Sequence, residues 1–234
     1  MVVGLVVLAT LTAGAVVAFG SSSSSSSVSA SASPSSPAAP GGAGATASPS
    51  PTASPSRSAT ASPSPASTVK GSVRDGRHSG DLRYFLLSPP KDAEIYGDED
   101  GTDLSRSEVA DSADVKRALA TYGFKAAAYR TYLTGDGEYE VTVRLVRFAS
   151  PGSAAAYYNA FYYQGTRIAL PSSGRPAKAY RLSSSSAEST GSVITVSHQG
   201  DVHISISVTG AKTPRTGMLT RLLDQQYRRL KSGR

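Results

Sequence analysis

His198, Asp201 and His203 lie close together in the chain. A carboxylate beside two imidazoles is raw material for a metal site or an acid–base pair. The surrounding pattern predicts a hairpin, 193–197 and 201–208, around His198-Gln199-Gly200. That places His198 at the tip and His203 on the outer face, so the three groups need not converge. The only other histidine is His78. Serine hydrolysis needs Ser, His, an acid and an oxyanion hole. Serines abound, but no G-x-S-x-G elbow occurs. Phosphate-loop, dinucleotide-binding and zinc-protease motifs are also missing. The expectation is a binding domain, not an enzyme, with no cofactor and no metal. An extracytoplasmic hydrolase using His198 or His203 with an acid is the alternative.

Three further clusters carry chemistry. Asp98-Glu99-Asp100-Gly101-Thr102-Asp103 concentrates carboxylates. A calcium loop starting at Asp98 needs Asp at positions 1, 3 and 5 and Gly at position 6; here Thr102 and Asp103 stand at 5 and 6, and Gly101 at 4. We read a solvated loop instead. Tyr157, Tyr158, Phe161, Tyr162 and Tyr163 crowd one predicted helix, more aromatics than one buried stripe needs. The third cluster is electrostatic. Residues 70–140 hold ten basic and fourteen acidic side chains, net −4; residues 141–234 hold thirteen and three, net +10. The candidate binding residues are therefore Tyr157, Tyr158, Tyr162, Arg144, Arg147, Lys178 and Arg181. Their chemistry suits an anionic cell-wall polymer, lipid headgroups or another envelope protein. Nucleic acid is not expected outside a membrane.

The elements that must position these groups read as α+β. Ser105 and Glu108 form a capping-box pattern for one helix; Ser112 or Asp114 caps a second, ended by Gly123. Phe124–Leu133 and Tyr139–Phe148 read as a hairpin, with Leu133 opposite Tyr139 and Tyr129 opposite Val143. Arg130, Glu140, Thr142 and Arg144 then share the polar face. Ser150-Pro151 opens a helix carrying the aromatics through Tyr163, ended by Gly165. Polar loops at 171–176 and 183–189 flank an edge strand, Ala177–Leu182. In the last hairpin, a three-residue loop pairs Val196 with Val202 and Ile194 with Ile204, which gathers apolar residues on one face. Thr195, His203, Ser205 and Ser207 then point outward. A helix over 216–230 closes the chain with Leu219, Leu222, Leu223, Tyr227 and Leu230 as its stripe. The sum is one antiparallel sheet of about five strands with helices on its apolar face.

The first 69 residues place this domain. They contain one charged side chain, Arg57. Residues 2–19 are almost wholly apolar; as a helix these 18 residues reach about 27 Å, near the hydrocarbon thickness of a bilayer. Residues 20–69 are Ser, Ala, Pro, Gly and Thr almost throughout, a composition that cannot form a core. We read residues 1–19 as a transmembrane anchor, 20–69 as a disordered spacer and 70–234 as the extracytoplasmic domain. Release by cleavage near Gly20 is the alternative, since Ala18 and Gly20 are spaced like a signal cleavage site. No basic residue precedes the apolar run, which points to a true start upstream of Met1. The chain has no cysteine, so neither lipidation of an N-terminal Cys nor disulfides are available to it.

Several segments resemble actinobacterial exported proteins with an anchor, a Ser/Ala/Pro spacer and a small α+β domain. They are Asp81–Leu87, Gly123-Phe124, Val141–Phe148 leading into Ala154–Tyr158, and Gly200-Asp201-Val202. Arg outnumbers Lys 17 to 7, as GC-rich coding favours. The strand–helix order is also similar to Mog1/PsbP-like lipoprotein domains and to the outer sensor domains of membrane kinases. The resemblance implies a surface location and assigns no activity or functional residue.

Overall fold

The computed structural model describes residues 67–161, 163–171, 174–182 and 191–233. The apolar segment 2–19, residues 20–66 of the spacer, Tyr162 and the 183–189 loop lie outside the described residues. No helix among the described residues is long and apolar enough to cross a membrane.

The fold is α+β, but the main sheet has eight strands where about five were expected. The five expected ones are present: β5 (Phe124–Leu133), β6 (Tyr139–Phe148), β8 (Ala177–Leu182), β9 (Gly191–Gln199) and β10 (Val202–Gly210). Three more, β3 (Glu94–Tyr96), β4 (Thr102–Leu104) and β7 (Thr166–Ile168), have three residues each, too short for alternation to register. The order is β3-β5-β6-β10-β9-β8-β7, with β4 also paired to β5. Because β7 pairs with β8, the expected edge strand Ala177–Leu182 is an inner one. A separate hairpin, β1 (Gly71–Arg74) and β2 (Arg77–Gly80), precedes the sheet. Its Asp75-Gly76 turn has φ of 50° and 70°, the left-handed pair that a two-residue hairpin turn requires.

Both faces of the sheet are covered, and this corrects the expectation of one apolar face. Helix α4 (Thr216–Ser232) and the 3-10 turn Leu82–Phe85 pack on one side, against Val141, Val143, Leu145, Ile204 and Ile206. Helices α1 (Arg106–Val109), α2 (Ala113–Thr121) and α3 (Pro151–Ala160) pack on the other, against Ala127, Val146, Phe148, Ile194 and Val196. The α4 stripe is buried as its spacing demanded, each large side chain contributing about 1.5–3 kcal/mol. The caps follow the sequence closely. Ser105 and Glu108 close a capping box, Ser112 caps α2, and Ser150 with Pro151 opens α3.

Two-sided burial changed both hairpin registers. In the first, Leu133 lies opposite Glu140 and Tyr129 opposite Arg144, one residue from expectation. Gly137, at φ 70°, completes the turn, and the Thr134 N–H donates to the Tyr139 carbonyl. A one-residue slip exchanges faces. Arg130 therefore stands on the α4 side, away from Glu140, Thr142 and Arg144, and Tyr129 and Thr131 take its place. In the second, Gly200-Asp201 is the turn; Gln199 pairs with Val202 and His198 with His203. The expected register matched apolar with apolar on a single face. In the structure Ile204 lies opposite Ser197 and Ile206 opposite Thr195, while Ile194 and Val196 serve the other core. Thr195, His203 and Ser205, expected outward, are buried. The Thr195 hydroxyl is satisfied by the Lys178 carbonyl and that of Ser197 by the Pro176 carbonyl.

The β1–β2 hairpin is fastened to this body by a buried clasp. Asp201 accepts from the backbone N–H of His78 and from its Nδ1, at 3.1 Å and 2.6 Å. The opposite ring nitrogen, Nε2, faces the Leu230 carbonyl at 2.8 Å. Both ring nitrogens thus sit against oxygen atoms, which fixes the plane of the imidazole. Arg147 adds bonds to the carbonyls of His78 and Gly80.

Candidate functional site

The sequence candidates do not assemble into one site. Tyr157 and Tyr158 are buried in the α3 core, Tyr157 against Phe148 and Phe161. Desolvation pushes both phenols up. The helix stops at Ala160, short of the expected Tyr163, and Phe161 and Tyr163 continue in non-helical chain so that both rings reach the core. Lys178 supports that ending. Its Nζ donates to the carbonyls of Tyr158, Asn159 and Phe161 at 2.7–3.1 Å and sits 4.5 Å over the Tyr158 ring. A cation at unsatisfied helix-terminal carbonyls is a structural use of charge. Arg147 is spent on the clasp, and Arg181 is exposed. The basic half of the sequence is thus distributed, not one surface: Arg130 holds the Leu87 and Glu99 carbonyls, Arg229 the Tyr84 carbonyl, and Arg175 pairs with Asp224.

His198, Asp201 and His203 are likewise separated. The two imidazoles face each other across β9 and β10 beneath α3, while Asp201 turns away to His78. His203 is enclosed by the rings of Tyr157 and Phe161, at 5.0 Å and 5.4 Å. Its Nε2 is buried with no hydrogen-bond partner. Burial, assisted by His198, Lys178 and Arg144, pulls its pKa from 6.5 to about 3. A depressed histidine is neutral in the fold and charged in the unfolded chain over that interval. The unfolded state binds the extra proton, so stability is fully present above about pH 6.5 and falls as pH drops toward 3. At about 1.4 kcal/mol per pH unit, the loss at pH 5 is about 2 kcal/mol. Urea titrations between pH 7.5 and 5 should show it, and His203→Gln should flatten the slope. An unchanged slope in the variant would assign the acid sensitivity elsewhere.

In the acidic loop, the Asp98 carboxylate accepts from the Asp100 N–H at 2.9 Å, and Asp103 lies 3.4 Å from Arg83. No group of three His, Asp or Glu side chains among the described residues is placed to hold a metal ion.

A different grouping emerges on the α3 side of the sheet. Rows of residues run across the strands, set by the ladder. Row one, Ala127-Val146-His203-His198, lies under α3. Row two is Tyr129-Arg144-Ser205-Val196, row three Thr131-Thr142-Ser207-Ile194, and row four Leu133-Glu140-Thr209-Ser192. Rows three and four extend past α3 and are half-exposed at most of their positions. Hydroxyls dominate them and bond one another: Thr131 to Thr142 at 2.9 Å, Ser192 to Ser207 at 3.3 Å and Thr209 to Ser192 at 3.0 Å. Arg144 stands at the boundary with a buried Nε that has no partner. Asp111, between α1 and α2, and the buried Tyr163 phenol are its electrostatic neighbours. Asp111 is exposed as a residue, yet desolvation pushes its carboxyl up while Arg144 draws it part of the way back. Glu140 is also raised by desolvation.

Hydroxyls in rows beside an arginine and two carboxyls can hold a polar ligand. Arg144 was among the sequence candidates, but its surroundings were not. Alternating hydroxyls on neighbouring strands were visible in the sequence, and only the register brings them into rows with an arginine at the end.

No family model matches the chain, and no curated protein matches it. Among solved structures it is similar to the extracellular domain of PknH from Mycobacterium tuberculosis, at 14% identity and a TM-score of 0.40, covering 62% of this chain and 79% of that one.

Proposed function

We propose that the chain is a membrane-tethered, extracytoplasmic binding domain that engages an anionic cell-wall polymer at Arg144. The observation that carries the reading is the partnerless buried Nε of Arg144 at the head of a half-exposed, hydroxyl-lined sheet face. The Arg144 side chain as a whole is only half-buried, and its planar guanidinium carries further N–H donors that a bound acid group would use. The 20–69 spacer supports the location: such a chain carries a domain through headgroups into a wall. The surface favours polymer over lipid, because Tyr96 is the sole large exposed hydrophobic among the described residues and interfacial binding needs an apolar face.

The full chain in detergent, mixed with purified cell wall or anionic vesicles over 50–500 mM salt as roughly bracketing physiological screening, should sediment with the wall. Arg144→Gln should weaken that about tenfold, the loss of one charge-assisted contact. Salt-independent absence of binding to the wall would remove the proposal.

A further inference from the structure

We infer that the ligand of this face is a hydroxyl-rich glycan bearing an acidic group, not a plain polyanion. The inference rests on the proposed role of Arg144 and extends it to the rest of the face. A polyanion offers acceptors and wants a field of cations. Here one arginine is accompanied by two carboxyls, Glu140 on the same face and Asp111 beside Arg144. Of the neighbouring basic side chains, Lys178 is committed to the end of α3 and Arg147 and Arg130 to carbonyls on the opposite side, while Arg167 is exposed on β7, four strands away from Arg144. A phosphate-dense chain laid along these rows would meet repulsion from both carboxyls.

A sugar matches the same groups. Each Ser or Thr hydroxyl has one donor and two acceptor sites, so those paired within the rows keep capacity for a ligand. Sugar hydroxyls donate to carboxylates and accept from hydroxyls, which uses Glu140, Thr142, Ser207 and Thr209 at once. The strands stand about 4.8 Å apart, so these groups form a regular lattice of polar contacts across the face. Tyr129, half-exposed and directly opposite Arg144, provides a ring against which a sugar face can stack. The acidic group of the sugar takes the Arg144 guanidinium.

The test titrates the full chain in detergent with four probes: a glucuronate-containing oligosaccharide, its carboxyl-reduced neutral counterpart, inorganic polyphosphate and phosphatidylglycerol vesicles. The acidic oligosaccharide should bind tightest, with amide shifts centred on strands β6 and β10. Carboxyl reduction and Arg144→Gln should each weaken it about tenfold, and the two losses should not add. Thr142→Val with Ser207→Ala should weaken the oligosaccharide about tenfold while leaving polyphosphate binding unchanged; matched circular dichroism melts verify folding. Polyphosphate or vesicles binding as tightly as the oligosaccharide overturns the glycan inference but keeps Arg144 as an anion seat. Failure of all four probes overturns both. Oligosaccharide binding insensitive to every variant overturns the site.

Discussion

Asp201→Ala is expected to destabilise the domain by about 2–5 kcal/mol, since it takes the acceptor from two buried groups of His78 at about 1–3 kcal/mol each. The Asp201 side chain is nearly enclosed and that of His78 fully so. Asp201 accepts both the backbone N–H and the Nδ1–H of His78. Truncation strips both donors of their acceptor. His78 cannot turn to water, because its other nitrogen is held by Leu230 and its ring is packed edge-on against Phe85 at 4.9 Å. The damage should be directional. The clasp joins β2 to the β9–β10 turn and to the end of α4, so amide exchange should quicken first in residues 70–81 and 228–233. Asp201→Asn keeps the shape and one acceptor, and should cost about half as much. Urea unfolding of the three proteins measures this, and a loss below about 1 kcal/mol for Asp201→Ala would show that the clasp is incidental. The turn itself tolerates little change: Gly200 has φ 57°, and a Cβ there would collide with the Gly76 carbonyl oxygen.

Gln226→Leu is expected to cost about 2–5 kcal/mol, although it replaces a polar core residue with an apolar one of similar size. Gln226 is fully buried on α4. Its Oε1 accepts from the Leu87 N–H at 2.9 Å and its Nε2 donates to the Phe85 carbonyl at 2.8 Å. The amide thereby completes the backbone bonding where the 3-10 turn ends and no strand continues. Leucine gains transfer energy but orphans a buried donor and a buried acceptor, at about 1–3 kcal/mol each. Gln226→Glu tests the pattern separately: one bond survives, and a buried carboxyl faces the Phe85 carbonyl. A melting temperature for Gln226→Leu equal to that of the parent would refute this account.

The helices of this domain were largely legible in the sequence because their signals are local. Ser105 with Glu108, Ser112, and Ser150 with Pro151 satisfy donors within one turn, so chain neighbours suffice to predict them. The bounds of β5, β6 and β8 were legible for the same reason, from alternation and from Gly137. The Asp75-Gly76 turn is a local hairpin signal too, but its flanking strands alternate weakly and contain two arginines, which masks it. The end of α3 was not local. Lys178, on a strand reached only through a long connection, stabilises the last carbonyls, so the aromatic run beyond Ala160 could leave the helix.

Register and site were decided by tertiary structure. An alternating strand does not reveal whether its polar face meets water or a second layer of helices. Pairing rules that assume one wet face then choose a register one or more residues away, and each odd slip exchanges faces. That is why His203 and Ser205 were expected in solvent and lie under α3, and why Arg130 and Arg144 were expected together and stand on opposite sides of the sheet. Charge shows the same division. The sequence determines that 24 basic and 17 acidic side chains exist and that nearly all follow residue 69. It also determines the uncharged apolar and Ser/Ala/Pro segments, since composition alone decides whether a chain can bury a core. Which cations remain free for a ligand depends on where carbonyls converge after folding. Folding commits Lys178, Arg147 and Arg130 to such carbonyls and leaves the Arg144 Nε without a partner.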